Sequence, residues 1–163
     1  NKIKVVLVRC GNVLESTGSV VPFFKSLLEN DCEYLPITHK DMTRFLLTLE
    51  QATDLIDWAY DCEYSHGKIA IPKIKALKVT DIANALSESY GLSIPLKYIG
   101  IRRGEKLHEE MISNEEWMRT EEHENFLIGN EYIRSEQKSY NSFDSLMDSS
   151  EAYEFLKSSG VVE

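Results

Sequence analysis

Hydrophobic and polar positions along this chain form short runs typical of strands and longer periodic stretches typical of helices. Residues 3–8 read IKVVLV, a nearly continuous apolar run that predicts a strand buried in a parallel sheet covered on both faces. Further strands are predicted at 34–37, 42–47, 68–71, 96–101 and 126–128. Because helical patterns separate most of these strands, the chain is predicted to have an α/β fold.

The predicted helices are marked by apolar spacing and by their first residues. Three helix starts carry a capping box, in which a short polar side chain and a Glu or Gln three residues later bond each other's backbone amides. The pairs are Thr48–Gln51, Ser113–Glu116 and Asp148–Glu151. Helices are also predicted at 22–30, 80–90 and 105–111, and 130–144 is predicted to be a polar surface loop.

Composition limits the classes of function. The chain has 163 residues and a net charge of −9, which disfavours general nucleic-acid binding because that needs a basic surface. No apolar run approaches the ~20 residues that span a bilayer. The three cysteines and the four histidines are scattered and show no metal-ligand spacing. The odd number of cysteines favours reduced thiols and therefore a protein of the cytoplasm.

The stretch 99–110, IGIRRGEKLHEE, carries the clearest candidate chemistry. A guanidinium such as that of Arg102 binds phosphate oxygens through paired charge-assisted hydrogen bonds. Gly104 permits a tight turn, so that Glu105 can face the same ligand and accept from sugar hydroxyls. The alternative is a strand-to-helix turn with a solvated charge run. His108, Glu109 and Glu110 are predicted to belong to the helix beyond the turn and to contact no ligand.

Other candidates are weaker. Asn12 follows the first strand and can bond a ligand or its own loop. Arg44 lies between apolar neighbours and can form a structural ion pair or a second phosphate contact. Two Tyr–Lys spacings, at 64–68 and 153–157, are interpreted as accidental, and neither GxGxxG nor GxxxxGK[ST] occurs.

Four ordered blocks carry a family resemblance: VRCGNVLESTGSVVPFF, PITHKDMTRF, GKIAIPKIKALKVTDIANAL and IGIRRGEKLHEEMIS. Together they resemble the C-terminal half of the sugar-nucleotide 4,6-dehydratases, extended short-chain dehydrogenases/reductases of polysaccharide biosynthesis. The most similar subgroup is the inverting UDP-N-acetylglucosamine 4,6-dehydratases, which are lyases. The resemblance implies late Rossmann-type strands at 1–20 and 67–90, and a sugar-nucleotide-binding subdomain at 21–66 and 91–163.

The resemblance also implies which residues bind a UDP-sugar. By position it assigns Asn12 to the region near the diphosphate, Val21 and Pro22 to the uracil pocket, and the backbone of Ile37 and Thr38 to the base. It further assigns Arg44 and Arg102 to the diphosphate and Glu105 to the ribose. No catalytic, cofactor-binding or metal-binding residue is implied within this chain.

Some positions depart from the family pattern. Cys10, Glu15 and Thr17 replace a tyrosine, a glycine and an arginine, and Lys40 and Arg103 replace prolines. Glu15 and Thr17 together add one negative charge and remove one positive charge, which bears on the affinity for an anionic ligand.

The glycine-rich NADP- or NAD-binding part and the catalytic residues of the family belong to an N-terminal Rossmann half. The chain alone is therefore expected to be inactive and to bind no cofactor. A partner half and, in the complete enzyme, a homo-oligomer are expected. Two alternatives are a stand-alone nucleotide-sugar-binding or regulatory module and a structural assembly protein.

Overall fold

The computed structural model describes residues 3–163. The strands in this part of the chain are β1 (Leu7–Val8), β2 (Asn12–Val13), β3 (Leu35–Ile37), β4 (Thr43–Leu47), β5 (Ile69–Ile71), β6 (Ala76–Lys78), β7 (Leu96–Tyr98), β8 (Glu110–Ile112), β9 (Thr120–Glu122), β10 (Phe126–Ile128) and β11 (Tyr140–Asn141). The helices are α1 (Val20–Glu29), α2 (Leu49–Asp61), α3 (Val79–Ser89), α4 (Asn114–Trp117) and α5 (Ser149–Ser158).

Four strands form the largest sheet, in the order β1-β5-β10-β9. β1 pairs in parallel with β5, and β10 is antiparallel to both β5 and β9. Hydrogen bonds from Gly67 N to the Val5 carbonyl (2.8 Å) and from Arg9 N to the Ala70 carbonyl (2.9 Å) extend the first pairing beyond β1. One side of β5 thus carries a parallel neighbour and the other an antiparallel one.

The first strand is more exposed than its apolar sequence predicts. Leu7 is 61% exposed and Val8 is 38% exposed, so the prediction of a strand buried on both faces is wrong for the described chain. The physical reason is position, because β1 is an edge strand of this sheet. Its contacts are with β5 and with α2, which packs on both strands.

Three smaller sheets complete the strand pairing. β4 lies between β2, which is parallel to it, and β6, which is antiparallel. β3 pairs in parallel with β7, and β8 is antiparallel to β11. Gly11 lets β2 approach β4 closely, because a Cβ at this position would lie 2.7 Å from the Phe45 Cβ.

The main core lies between three helices and the strands beneath them. α3 packs against α1 and α5, and it also contacts β3 and β6. The largest fully buried side chains of this cluster are Phe24, Leu35, Ile37, Leu77, Ile82, Leu86 and Leu156. A second cluster, which includes Phe45, Ile112 and Trp117, lies under the four-stranded sheet and β8.

The capping-box predictions are confirmed. Thr48, Ser113 and Asp148 each accept from the backbone N–H three residues later and open α2, α4 and α5. Helices predicted at 22–30 and 80–90 correspond to α1 and α3 with boundaries shifted by one or two residues. Mixed α/β architecture, predicted from the alternation of patterns, is also confirmed.

The helix predicted at 105–111 is wrong. The Leu107 carbonyl accepts from Thr43 N at 3.1 Å, and residues 110–112 form β8. The backbone of residues 107–112 is therefore hydrogen-bonded to residues distant in sequence and cannot form the hydrogen bonds of a helix. The strand predicted at 96–101 ends at Tyr98, since Gly100 adopts a left-handed φ of 87° that strands do not allow.

Residues 130–144 are mostly irregular, as predicted, except that Tyr140–Asn141 form β11. Tyr140 anchors this segment through hydrogen bonds between its hydroxyl and the Ile74 backbone. The side chains of Tyr132 and Ile133 are 61% and 50% exposed, but Ile133 N donates to the Met118 carbonyl at 2.9 Å and so also holds the segment.

Residues 1 and 2, which open the predicted Rossmann-type unit 1–20, lie outside the described residues. The predicted division of the chain stays a prediction, although β9 and β10 from its second unit continue the sheet of β1 and β5. Among residues 3–163, no helix has the length and apolar character needed to cross a bilayer.

Candidate functional site

A cavity of about 690 Å³ opens between the N-terminus of α1 and strands β2, β3 and β4. Seven of the eight residues predicted to bind ligand line it: Asn12, Val21, Pro22, Thr38, Arg44, Arg102 and Glu105. These residues come from segments up to 93 positions apart in the sequence, from Asn12 to Glu105. The fold therefore brings the predicted residues together, whereas their roles in binding stay predictions.

The eighth residue, Ile37, is not among the residues that line this cavity, and its predicted backbone contact with the base stays a prediction. Its side chain is fully buried in the main core, and its carbonyl accepts from Ile99 N at 2.9 Å. Side chains alternate along a strand, so that Pro36 and Thr38 face the cavity while Ile37 points away. Pro36 was missed at the sequence level, although this alternation is the signal that could have found it.

Arg44 is held on β4 by several neighbours. Its Nη1 donates to the carbonyls of Thr43 (2.8 Å) and Leu107 (3.3 Å), and its Nη2 lies 3.6 Å from a Glu105 carboxylate oxygen. Its Nε is 3.8 Å from Glu109. These contacts fix the plane of the guanidinium at the cavity wall.

Arg102 and Glu105 lie on one tight turn. Glu105 N donates to the Arg102 carbonyl at 3.0 Å, and Arg102 N donates to the Glu105 carboxylate at 3.2 Å. Gly104 allows this turn with a φ of 85°. The Arg102 guanidinium is exposed, and within residues 3–163 it has no recorded hydrogen bond, so that its donors can meet a ligand.

Asn12 is positioned by Glu109, which was predicted to lie on a helix away from any ligand. Instead Glu109 directly precedes β8, and its carboxylate accepts from Asn12 Nδ2 at 3.0 and 3.2 Å. Glu109 also accepts from Phe45 N at 2.9 Å. His108, assigned to the same predicted helix, instead contacts the Thr43 hydroxyl through Nδ1 at 2.8 Å.

The two charge-changing departures do not face the cavity. Neither Glu15 nor Thr17 lines it, and Glu15 pairs with Lys25 of α1 at 2.5 Å. Glu15 adopts a φ of 59°, which explains why glycine suits this position. The carboxylate at 15 is thus neutralised locally.

The remaining wall is apolar and was not predicted in full. Phe23 and Phe24 of α1, with Leu14 and Met42, complete the lining beside Val21 and Pro22. Ser19 precedes α1 and also lines the cavity, where its hydroxyl is buried with no recorded partner. A planar ring can pack on this apolar wall while polar groups reach the arginines.

A second cavity of about 310 Å³ adjoins the first. Asn12 lines both, and the second is lined otherwise by Arg9, Cys10, Gly11, Lys106, Glu109, Glu110 and Met111. Asn12 and Glu109 therefore stand at the boundary between an arginine-lined cavity and a smaller mixed-charge cavity.

Relatives of known activity match most of this chain. It is 47% identical over 119 residues to a UDP-N-acetylglucosamine 4,6-dehydratase (inverting) of Campylobacter jejuni, covering 72% of this chain and 34% of that protein. It is 38% identical over 114 residues to a UDP-glucose 4-epimerase of Rickettsia felis, covering 70% of this chain and 33% of that protein. The chain thus spans about a third of the length of these relatives.

Solved structures give the same fold. The X-ray structure of Pen from Bacillus thuringiensis superposes with a TM-score of 0.81 at 27% identity, over 95% of this chain and 50% of that chain. A dTDP-glucose 4,6-dehydratase from Bacillus anthracis in complex with NAD gives a TM-score of 0.51 at 12% identity, over 60% of this chain and 33% of that chain. The second similarity supports the fold alone.

The predicted fold, the C-terminal portion of an extended short-chain dehydrogenase/reductase, is confirmed by these similarities. A family described as "Polysaccharide biosynthesis protein" matches residues 1–131. With this match and the 47% identity over 72% of its length, the chain belongs to the polysaccharide biosynthesis protein family.

Proposed function

We propose that this chain is the sugar-nucleotide-binding part of a UDP-sugar 4,6-dehydratase, acting on UDP-N-acetylglucosamine or a closely related UDP-sugar. The observation that carries this proposal is the single cavity that joins Arg44 and Arg102 with Glu105 and an apolar wall. Two guanidiniums suit two phosphates, and a carboxylate accepts from the hydroxyls of a ribose. The name of the Campylobacter jejuni relative supports this substrate.

The cavity supports a direction for the ligand. The uracil ring would pack on the wall of Val21, Pro22 and Phe23, beside Thr38. Ser19 and Val20 at the N-terminus of α1 line the same cavity, where the helix dipole favours negative charge, so the diphosphate would lie between this end of α1 and the arginines. The hexose would then continue past Asn12 towards the second cavity.

The nicotinamide cofactor, NADP or NAD, would be held by another part of the complete enzyme. The described residues do not fit a dinucleotide, because the sequence lacks the glycine-rich loop that places a pyrophosphate on a helix N-terminus. This chain's residues would bind the UDP moiety and orient the hexose.

The Rossmann portion of the complete enzyme would pack against the exposed edge of β1. Leu7 and Val5 are 61% and 54% exposed at this edge, and Ile56 and Tyr60 of α2 are 53% and 71% exposed nearby. Covering such side chains is favourable, and a parallel strand can continue the sheet beside β1. A homo-oligomer of the complete enzyme would assemble from this larger unit.

Calorimetry with UDP and UDP-N-acetylglucosamine tests the binding function on the chain itself. We expect both ligands to bind and an uncharged nucleoside such as uridine to bind at least tenfold more weakly, since it lacks the diphosphate. Equal affinity for uridine and UDP would contradict the role of the arginines. The absence of binding by all three would remove the proposed function.

The catalytic part is tested by adding an N-terminal Rossmann portion from a full-length relative. We expect the reconstituted pair to consume UDP-N-acetylglucosamine and release a 4-keto-6-deoxy product. Arg102→Ala in this chain should lower that rate. Product formed equally well without this chain would exclude its participation.

A stand-alone binding module is the second candidate. The residues of this chain that line the first cavity include seven of those predicted to bind the ligand, which favours binding without a partner. Micromolar binding combined with no turnover in any reconstituted pair would support this candidate over the dehydratase.

A further inference from the structure

The amide of Asn12 has both of its donor hydrogens directed at protein acceptors. Nδ2 lies 3.1 Å from the Phe45 carbonyl oxygen and 3.0 Å from Oε1 of Glu109. Both partners present acceptor oxygens, and the Glu109 carboxylate also accepts from Phe45 N, so the nitrogen and not the oxygen of the amide faces them. The orientation of this amide is thus fixed by chemistry.

This orientation leaves the Asn12 oxygen for a ligand. No protein donor to Oδ1 is recorded among residues 3–163, and Asn12 lines both cavities. An ionised phosphate oxygen carries no hydrogen to donate to it. A hydroxyl group does, and a sugar presents several.

Glu109 is itself firmly held. Its carboxylate accepts from Phe45 N at 2.9 Å, and its own backbone N–H donates to the buried hydroxyl of Ser142 at 2.8 Å. The Ser142 backbone N–H in turn donates to the Glu109 carbonyl at 2.8 Å. Asn12 is therefore oriented by a residue that is bonded on both its side chain and its main chain.

We propose that Glu109 is a positioning residue that makes Asn12 an acceptor for a hydroxyl of the hexose, and that this pair distinguishes a UDP-hexose from UDP. The inference rests on the proposed function and adds to it the chemistry of the hexose contact. The hexose is assigned instead of the ribose because Asn12 borders the second cavity, whereas Glu105 lines the first cavity alone.

The test is a cycle of Asn12→Ala, Glu109→Gln and the double variant, measured by calorimetry with UDP and UDP-N-acetylglucosamine. Each single variant should lower the affinity for UDP-N-acetylglucosamine relative to the affinity for UDP about three- to tenfold, the range of one hydrogen bond. Asn12→Ala should change the affinity for UDP itself less than about twofold, whereas Glu109→Gln also removes a charge 3.8 Å from Arg44 Nε. The double variant should match the relative loss of Asn12→Ala, because Glu109 acts on the hexose contact through Asn12. Glu154→Gln, an exposed carboxylate on α5, is the matched control.

A purely structural role would not change the ratio of the two affinities. Equal losses for UDP and UDP-N-acetylglucosamine, or additive losses in the double variant, would overturn the inference. If Glu109→Gln does not fold, Glu109→Asp replaces it in the cycle, since it retains the charge but withdraws it from Asn12 and should give the same selective loss.

Ligand binding by the wild-type chain distinguishes a failure of this inference from a failure of the proposed function. Suppose that the wild-type chain binds UDP and that every variant keeps the wild-type affinity for UDP-N-acetylglucosamine. This result would refute the role of Asn12 and Glu109 and leave the UDP site intact. Binding of neither ligand by the wild-type chain would refute both.

Discussion

The Nζ of Lys25 lies 2.5 Å from a carboxylate oxygen of Glu15, on the outer side of the loop that leads into α1. Lys25 is 25% exposed and Glu15 is 49% exposed, and neither lines the cavity. The departure from glycine at position 15 therefore adds no unpaired charge to the proposed diphosphate site.

Glu15→Gln is accordingly expected to change the affinity for UDP less than about twofold, because a paired and solvated charge outside the cavity is largely screened. Calorimetry at physiological salt measures this. A gain of tenfold on removing the charge would show that Glu15 opposes the ligand directly.

The neighbouring arginines at 102 and 103 offer a matched comparison. Both are exposed, but only Arg102 lines the cavity. Arg102→Ala should weaken UDP binding about tenfold or more, the loss of charge-assisted hydrogen bonds to phosphate. Arg103→Ala should change it less than about twofold. Similar losses for both would indicate a general electrostatic effect in place of a contact.

Local chemistry explains what could be predicted from the sequence. Thr48, Ser113 and Asp148 open helices because capping depends on residues only three positions apart. Seven of the residues predicted to bind ligand line one cavity. They could be predicted because their motifs occur in the chain as ordered blocks that resemble a family. The left-handed backbone at Glu15 agrees with a family glycine at that position.

Long-range pairing explains what could not be predicted. Residues 105–111 have helical composition, yet Leu107 bonds Thr43 and β8 pairs with β11. The pattern of neighbouring residues in the sequence does not indicate such long-range pairing. The contact between Asn12 and Glu109 spans 97 positions and was likewise invisible in the sequence.

Tyr140 holds the segment after β10 on the backbone of Ile74. Its hydroxyl accepts from Ile74 N at 2.7 Å and donates to the Ile74 carbonyl. Tyr140→Phe leaves both backbone groups without this partner and should lower the free energy of unfolding by about 1–3 kcal/mol. Chemical denaturation measures this, with Tyr132→Phe as the control because Tyr132 is 61% exposed.

Burial also makes stability sensitive to alkaline pH at this residue. It raises the pKa of Tyr140 to about 12, whereas the unfolded side chain has a pKa of about 10. The folded state therefore holds its proton more tightly, and stability should fall as the pH rises from about 10 towards 12. Tyr140→Phe should show a smaller fall. An identical fall in the variant would contradict this assignment.

Arg9 and Glu116 form a two-point ion pair that joins the end of the first strand to α4. Arg9 Nη1 and Nη2 donate to the two carboxylate oxygens at 2.9 and 2.8 Å. This hydrogen bonding to Arg9 lowers the pKa of Glu116. Because the folded pKa is below the unfolded value of about 4.3, the stabilisation is present above that pH and is lost as the pH falls through the folded pKa.

Glu116→Gln should therefore destabilise the chain at pH 7, by about 1 kcal/mol given that Arg9 is 37% exposed and the pair is partly screened. The difference between variant and wild type should shrink as the pH falls below about 4.3, because the unfolded wild-type chain then takes up a proton at Glu116 more readily than the folded chain does. Thermal unfolding at several pH values measures both. Because Ser113 N also donates to Glu116, Arg9→Met serves as the control that keeps this capping contact while it removes the ion pair and the bond from Arg9 to the Met111 carbonyl. A destabilisation by Glu116→Gln that persists unchanged at pH 3 would mean that the capping contact, and not the charge on Glu116, stabilises this junction.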